Sequence, residues 1–469
     1  MCIFTAVGTF IHNTNPLFQQ SPMKKDEKFY IMALLFHVGL GFLFFNVRIL
    51  GAIYALIVLV VGILYVIKTQ NKNNEVLLMA AYFVGLDVYV KMLKVTILSE
   101  FGKYTVIIFM VLGIFYKGFS KGAFLYVFFI VLLIPGIYLG AETLSLDSNI
   151  RKAIAFNISG PICLGISAVY CFQRLISFER FKDVLAMLLF PLVALLVHVF
   201  MYRTDISEVI KSTSSNAATS GGFGPNQVST VLGLAMFVAF ARLFLASSTK
   251  KVQLINGFLV LVFAYRCIIT FSRGGMFTGL LMMVVLVGVL YFIMDLKNKG
   301  KIVLMGGLSV VAGLLVWGYS SIQTGGLIEN RYANKDALGR EKESQLSGRE
   351  TLINTELNMF LDNPLLGVGV GKNKEIREEE TGIELPSHSE ISRLLAEHGS
   401  LGLLAFLILL LTPLLLYVND RTQIFALAFT VFWLLTINHA AMRIAAPAFV
   451  YALALLKVYF PKEGEAPMA

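Results

Sequence analysis

Long apolar runs alternate with short polar interruptions along almost the whole chain. Runs approaching or passing roughly 18 residues predict membrane-spanning helices, since a strand would end sooner. The pattern predicts fourteen spans, near 29–45, 49–67, 76–98, 104–116, 122–140, 153–172, 183–202, 226–246, 253–272, 274–294, 302–319, 388–417, 422–437 and 440–459. One long polar stretch, 320–387, separates the eleventh span from the twelfth. The expected organisation is a tail (1–28), eleven spans (29–319), a large outer loop with short helices (320–387), three further spans (388–459) and a second tail (460–469). The expected fold class is an all-α polytopic membrane protein.

Composition agrees. The chain is 57% hydrophobic and 14% charged, with a mean hydropathy of +0.76, too little polar surface for a soluble chain of 469 residues. The net charge of +10 is no argument for nucleic acid, because basic residues in membrane proteins mainly set orientation. With the amino terminus placed in the cytoplasm, alternate loops carry Lys68 and Lys72, Lys117 and Lys121, Arg174, Arg180 and Lys182, Lys250 and Lys251, Lys297, Lys299 and Lys301, Arg421, and finally Lys457 and Lys462. The opposite short loops are poorer, so both termini are expected on the cytoplasmic side. Met23 opens MKKDEK, an ordinary segment before a first span, so translation starts at Met1 or Met23. Cys2, Cys163, Cys171 and Cys267 form no CxxC pair and read as packing residues.

Charge inside an apolar run asks for a reason, since an arginine at the bilayer centre costs at least a few kcal/mol. Arg273, in IITFSRGGMFT (268–278), falls at the outer end of the ninth span. It is either a snorkelling anchor or part of an anion site at the outer face. SGGFGPNQVST (220–230) leads into the eighth span on the same side. A proline suits the first helical turn, and a glycine-rich approach leaves N–H groups open to an anion. In the outer loop, Ser347 and Glu350 make a capping box. Leu352, Ile353, Leu357, Phe360 and Leu361 give the helix that follows one apolar face. Arg349 falls in its first turn, where a cation opposes the helix dipole unless an anion lies between them. A second capping box, Ser387 and Glu390, starts the twelfth span and puts His388 in its first turn. His398 would lie about 15 Å deeper. Asp87, Lys91 and Lys94 share one face of the third span, either as a buried ion pair or as a functional group. GVGVGK (367–372) reads as a turn and EIREEE (375–380) as a solvated acidic face. Neither HExxH nor DxD occurs, so a divalent metal lacks obvious ligands.

FSRGG around Arg273, SGRETLINTELNMFLDNPLLGVGVG around Arg349, SHSEISRLLAEHGSLGL around His388 and GPNQVSTVLGLAMF at 224–237 together resemble the O-antigen ligase and O-antigen polymerase family of bacterial membrane glycosyltransferases. The order of the blocks matches, and the resemblance covers about 220–410. It implies a multi-pass protein of the bacterial inner membrane with its active site facing the periplasm. The implied donor is a glycan on undecaprenyl pyrophosphate, and the acceptor hydroxyl belongs to lipid A core or to a second lipid-linked glycan. The implied transfer is inverting and needs neither nucleotide sugar, metal nor other cofactor. Carried onto this chain, the resemblance makes Arg273 and Arg349 pyrophosphate ligands and places His388 near the acceptor hydroxyl or leaving phosphate. Asn226, Gln227 and Lys91 are further substrate-binding candidates. Ser389 stands where the family often has asparagine. A chain-length regulator is an expected partner only of a polymerase. The rival reading is a lipid-linked glycan flippase or other transporter, for which some fourteen spans would be ordinary; the outer-face clustering of the motifs speaks against it.

Overall fold

The computed structural model describes residues 25–95, 98–145, 149–202, 212–294, 296–342, 349–382, 387–439 and 442–460. Seventeen α-helices form among them. In chain order these are α1 (Lys25–Asn46), α2 (Ile49–Thr69), α3 (Glu75–Met92), α4 (Phe101–Lys117), α5 (Phe124–Thr143), α6 (Ile150–Cys171), α7 (Phe178–Tyr202), α8 (Pro225–Leu245), α9 (Lys250–Ile269), α10 (Arg273–Ile293), α11 (Leu296–Gln323), α12 (Leu327–Tyr332), α13 (Arg349–Asp362), α14 (Lys372–Thr381), α15 (Glu390–Asn419), α16 (Ala426–Thr436) and α17 (Ala446–Leu453). Ten helices are long and apolar enough to cross a membrane. The fold is therefore an all-α polytopic membrane fold. Met1, Met23 and Ser347 lie outside the described residues.

Burial sorts the helices into centre and rim. The segment containing α8 is 89% buried and that of α11 only 6%, so α8 is a core helix and α11 faces the surroundings. Around α8 stand α9, α10 and α7, and α3 packs on α7 and α4. Close approach of α8 and α10 depends on glycine: a Cβ on Gly275 would overlap the Ser229 carbonyl, and one on Gly233 would overlap the Gly275 carbonyl. Gly275→Ala is therefore expected to force the pair apart and cost about 1–3 kcal/mol. Thermal unfolding in detergent checks this, and an unshifted midpoint would contradict it.

One end of the bundle is marked by two short parallel strands, β1 (Leu175–Ser177) and β2 (Lys457–Tyr459). Lys457 also pairs with Asp420 at 3.8 Å, Arg180 bonds the Asn73 carbonyl, and Ser120 bonds the Phe172 carbonyl. Loops that alternate along the sequence thus meet at one end, as the charge pattern requires.

Four of the fourteen expected spans, those corresponding to α3, α4, α16 and α17, are not among the ten long apolar helices. The apolar pattern carries the third span to 98, but α3 stops at Met92. Lys94 takes a left-handed conformation (φ 58°) and leaves the face shared by Asp87 and Lys91. At the other end of the chain, α16 has 11 residues and α17 has 8. They cover about 16 and 12 Å of a hydrocarbon layer roughly 30 Å thick. Of the described residues that join them, Ile437, Met442, Ile444 and Ala445 are buried; residues 440 and 441 lie outside the described residues.

Candidate functional site

Non-helical backbone inside a membrane protein survives only where its polar groups find partners. In the connection 437–445, charged side chains supply them. Lys91 donates to the Arg443 carbonyl (3.1 Å) and pairs with Asp87 at 3.1 Å. Lys103, fully buried and paired with Glu100, donates to the Met442 carbonyl (3.1 Å). Asp87 accepts from the Ala445 amide (3.0 Å) at the start of α17, and Glu390 accepts from the Met442 amide (3.4 Å). Hydrogen bonds to charged groups stabilise by about 1.5–3 kcal/mol each. The intramembrane charge of Asp87 and Lys91 thus holds a broken helix in place.

Above this turn the first residues of α8, α10 and α15 converge. Asn226, in the first turn of α8, accepts from Ser272 (2.8 Å) and donates to the His439 carbonyl (3.4 Å). Ser229 donates to Ser272 (2.9 Å), the residue before α10. The His439 ring meets Thr230 at 3.2 Å. A Cβ on Gly274 would stand 2.5 Å from that ring. Both glycines after Arg273 therefore have a reason: Gly275 admits α8, and Gly274 leaves room for His439.

Arg273 is the first residue of α10 and is half-buried. Two cations of the 320–387 loop, Arg331 and Lys342, come within electrostatic reach of it. Arg331 of α12 donates to the Phe271 carbonyl (2.9 Å). Phe271 itself sits in the left-handed region (φ 56°), a costly conformation for an aromatic residue, of the kind found at functional turns. Lys342 donates to Thr213 (2.7 Å), and Thr213 donates to the Lys335 carbonyl (2.9 Å), which ties the approach to α8 onto the outer loop. Partial burial, then the charges of Arg331 and Arg273, hold the Lys342 amine below the ordinary lysine value. Asp336 acts on Lys342 in the opposite sense, as any further anion placed there would.

His388 lies between two anchored residues. The Ser387 carbonyl accepts from Arg443 (2.5 Å), and the Ser387 hydroxyl donates to the Ser389 carbonyl (2.9 Å). Ser389 is the N-cap of α15. This corrects the capping box expected at Ser387: the helix starts two residues later, and His388 precedes it rather than lying in its first turn. Ser387 instead also bonds Glu356 (3.2 Å). Serine and asparagine cap helices about equally well, so Ser389 fills the asparagine's place without loss to the helix. Ser389 donates to Asn438 (3.4 Å), the neighbour of His439. A chain of contacts through Ser389, Asn438, His439, Asn226 and Ser272 links the segments that carry His388 and Arg273.

Behind His388 a buried ionic cluster braces α15. Arg393 pairs with Glu390 and with Glu397 (2.8 Å). Glu356 of α13 accepts from Arg377 (3.1 Å), Asn373 (3.2 Å) and Ser392 (2.6 Å). EIREEE is thus not wholly a solvated face, because Arg377 is fully buried. The buried stripe of α13 is Leu352, Glu356 and Met359, while Leu357 and Leu361 are exposed. The expected apolar face is split because Glu356 must reach Arg377. GVGVGK forms a turn as expected, and it threads between α5 and α15. Val370 donates to the Gly136 carbonyl (2.9 Å) and Val368 to the Ala396 carbonyl (2.8 Å). Gly369 (φ 94°) permits that contact. His398 is buried beside the kink at Gly399.

Of the remaining candidates, Arg349 heads α13, which packs on α15, and its side chain lies outside the described residues. Gln227 lies in the first turn of α8, partly buried, and its amide donates to the Gly224 carbonyl (3.1 Å). Lys91 holds the turn below the site. Sequence reading missed Arg331, Lys342, Lys103 and Arg443, and passed over Arg266, which lies on Phe200 and bonds the Val199 carbonyl. Among the described residues no three His, Cys, Asp or Glu side chains group as metal ligands.

Residues 258–407 match the family model described as O-antigen ligase. No curated protein and no solved structure matches the chain. The matched segment runs from α9 into α15 and contains Arg273, Arg331, Lys342, Arg349 and His388. Asn226, His439 and Lys91 lie outside it.

Proposed function

Residues 258–407 match the O-antigen ligase family model, and from that premise we propose that the chain transfers a glycan from undecaprenyl pyrophosphate to an acceptor hydroxyl at the periplasmic face of the inner membrane. The family gives the general role, membrane glycan transfer in surface polysaccharide synthesis. The observation that carries the finer reading is that Arg273 opens α10 while Arg331 bonds the Phe271 carbonyl two residues before it, with Lys342 within electrostatic reach of both.

The acceptor oxygen attacks the anomeric carbon of the donor, the bond from that carbon to phosphate breaks, and undecaprenyl pyrophosphate leaves with the bonding electrons. Negative charge grows on the leaving oxygen, and fixed cations in a poorly hydrated site stabilise it. Arginine forks match phosphate oxygens in pairs and stay charged at any relevant pH. His388 takes the acceptor proton, since an imidazole is a competent base near neutrality. Arg349 is assigned to the pyrophosphate as well. Asn226 positions the start of α10 rather than the substrate, and Lys91 acts through the 437–445 turn. We take the transfer to be a single in-line displacement, which inverts the anomeric centre.

The protein in nanodiscs, supplied with glycolipids from a strain lacking it, tests this reading. Lys342→Ala is expected to slow transfer about tenfold, the value of one charge-assisted hydrogen bond to phosphate, and EDTA is expected to leave the rate unchanged. An unaffected Lys342→Ala rate would remove that lysine from the site, and loss in EDTA would contradict metal-free transfer. A transporter can also use broken helices at depth, but it would move lipid-linked glycan without releasing undecaprenyl pyrophosphate.

A further inference from the structure

A cavity of about 680 Å³ opens beside the His388 segment and shares no lining residue with the Arg273 cluster; its size is within the roughly 300–1,000 Å³ of ligand sites. The starts of α4, α6 and α14 form its walls, and Ser387 and Arg393 close it towards His388. Glu100 lines it and, through Lys103, is joined to the 437–445 turn. The lining differs in kind from the Arg273 cluster. Much of its charge is already neutralised by neighbours: Arg393 pairs with Glu390 and Glu397, Glu100 with Lys103 and Glu375 with Lys372, while Lys152, Lys374 and Glu378 also line it. Tyr104 and Phe156 are exposed there, beside the amides of Asn149 and Asn157.

We infer that this cavity binds the acceptor, and that the acceptor's part held there is an uncharged glycan. The inference rests on the transfer reading above. Aromatic faces offer a flat apolar surface to the C–H face of a sugar, and amides and carboxylates give and take hydrogen bonds with its hydroxyls. A largely neutralised lining neither attracts nor repels a neutral sugar, whereas the Arg273 cluster selects an anion. A sugar seated against Ser387 presents its hydroxyl one residue from His388, in a cavity distinct in its lining from the Arg273 cluster.

The test uses the full protein in nanodiscs, with donor and acceptor glycolipids extracted from a strain lacking it and separated by charge. Phe156→Ala combined with Asn157→Ala is expected to raise the acceptor KM about tenfold and leave the donor KM unchanged. Both side chains lie at the cavity surface, and an unaltered donor KM certifies the fold. An unchanged acceptor KM would overturn the inference while leaving the transfer reading intact. A raised donor KM would overturn it too, by assigning the cavity to the donor's glycan. Failure of the wild-type protein to release undecaprenyl pyrophosphate would remove the transfer reading and this inference together.

Discussion

Arg273→Ala is expected to lower the rate of glycan transfer about 100- to 1,000-fold, the usual loss when one fixed donor to a developing negative charge is removed. Protein level and thermal midpoint should hardly change, because Arg273 is only half-buried. Arg273→Lys should recover part of the rate, since lysine keeps the charge and loses the planar fork. Arg331→Ala is the instructive comparison. That arginine also holds the Phe271 carbonyl in its strained turn, so its loss should affect stability as well as rate. A snorkelling anchor predicts the opposite pattern for Arg273, a modest loss of insertion and full activity per molecule. Purified protein assayed at matched concentration separates the two.

Arg393→Ala carries the largest expected effect on stability, a loss of about 3–5 kcal/mol. The substitution leaves Glu390 and Glu397 buried without their shared guanidinium, and a buried charge stripped of its partner is far costlier than a surface ion pair lost. Glu390 also holds the Met442 amide and, through its own amide, the Ile437 carbonyl, so the 437–445 turn should loosen with it. Removing charge from all three positions together, with Arg393→Met, Glu390→Gln and Glu397→Gln, should cost less than Arg393→Ala alone. Thermal unfolding in detergent reads both variants. A wild-type midpoint for Arg393→Ala would mean that the cluster contributes nothing.

The spans are legible in the sequence because a bilayer imposes a minimum apolar length, and the alternation of basic loops places them in register. The separation of the last two apolar runs is legible, but their shortening to α16 and α17 is not. An apolar run has the same composition whether or not its end unwinds, and the groups that make unwinding tolerable lie far away in the chain. Asp87 and Lys91 stand out as charges in a span, yet the backbone they hold lies more than 350 residues on, as the 358-residue separation of Asp87 and Ala445 shows. Arg273 is legible for a related reason, one cation in an apolar setting. Arg331 and Lys342 are not, because they sit in a loop already rich in charge, where no single cation draws notice. The role of Gly274 becomes visible only with His439, and that of Gly275 only with Ser229. The α15 start differs from its expected place by two residues because Ser387 and Ser389 are equal N-caps by residue type. The tie from Ser387 to Glu356 decides between them.

The central claim is that the cations at the start of α10 serve a pyrophosphate leaving group. Its most direct test is the release of undecaprenyl pyrophosphate, followed alongside glycan transfer, by the purified wild-type protein and by Arg273→Ala. The account predicts one undecaprenyl pyrophosphate released for each glycan bond formed by the wild type, and both signals falling together about 100-fold or more in the variant. Transfer at the wild-type rate by Arg273→Ala, or glycan transfer without release of undecaprenyl pyrophosphate, would contradict it.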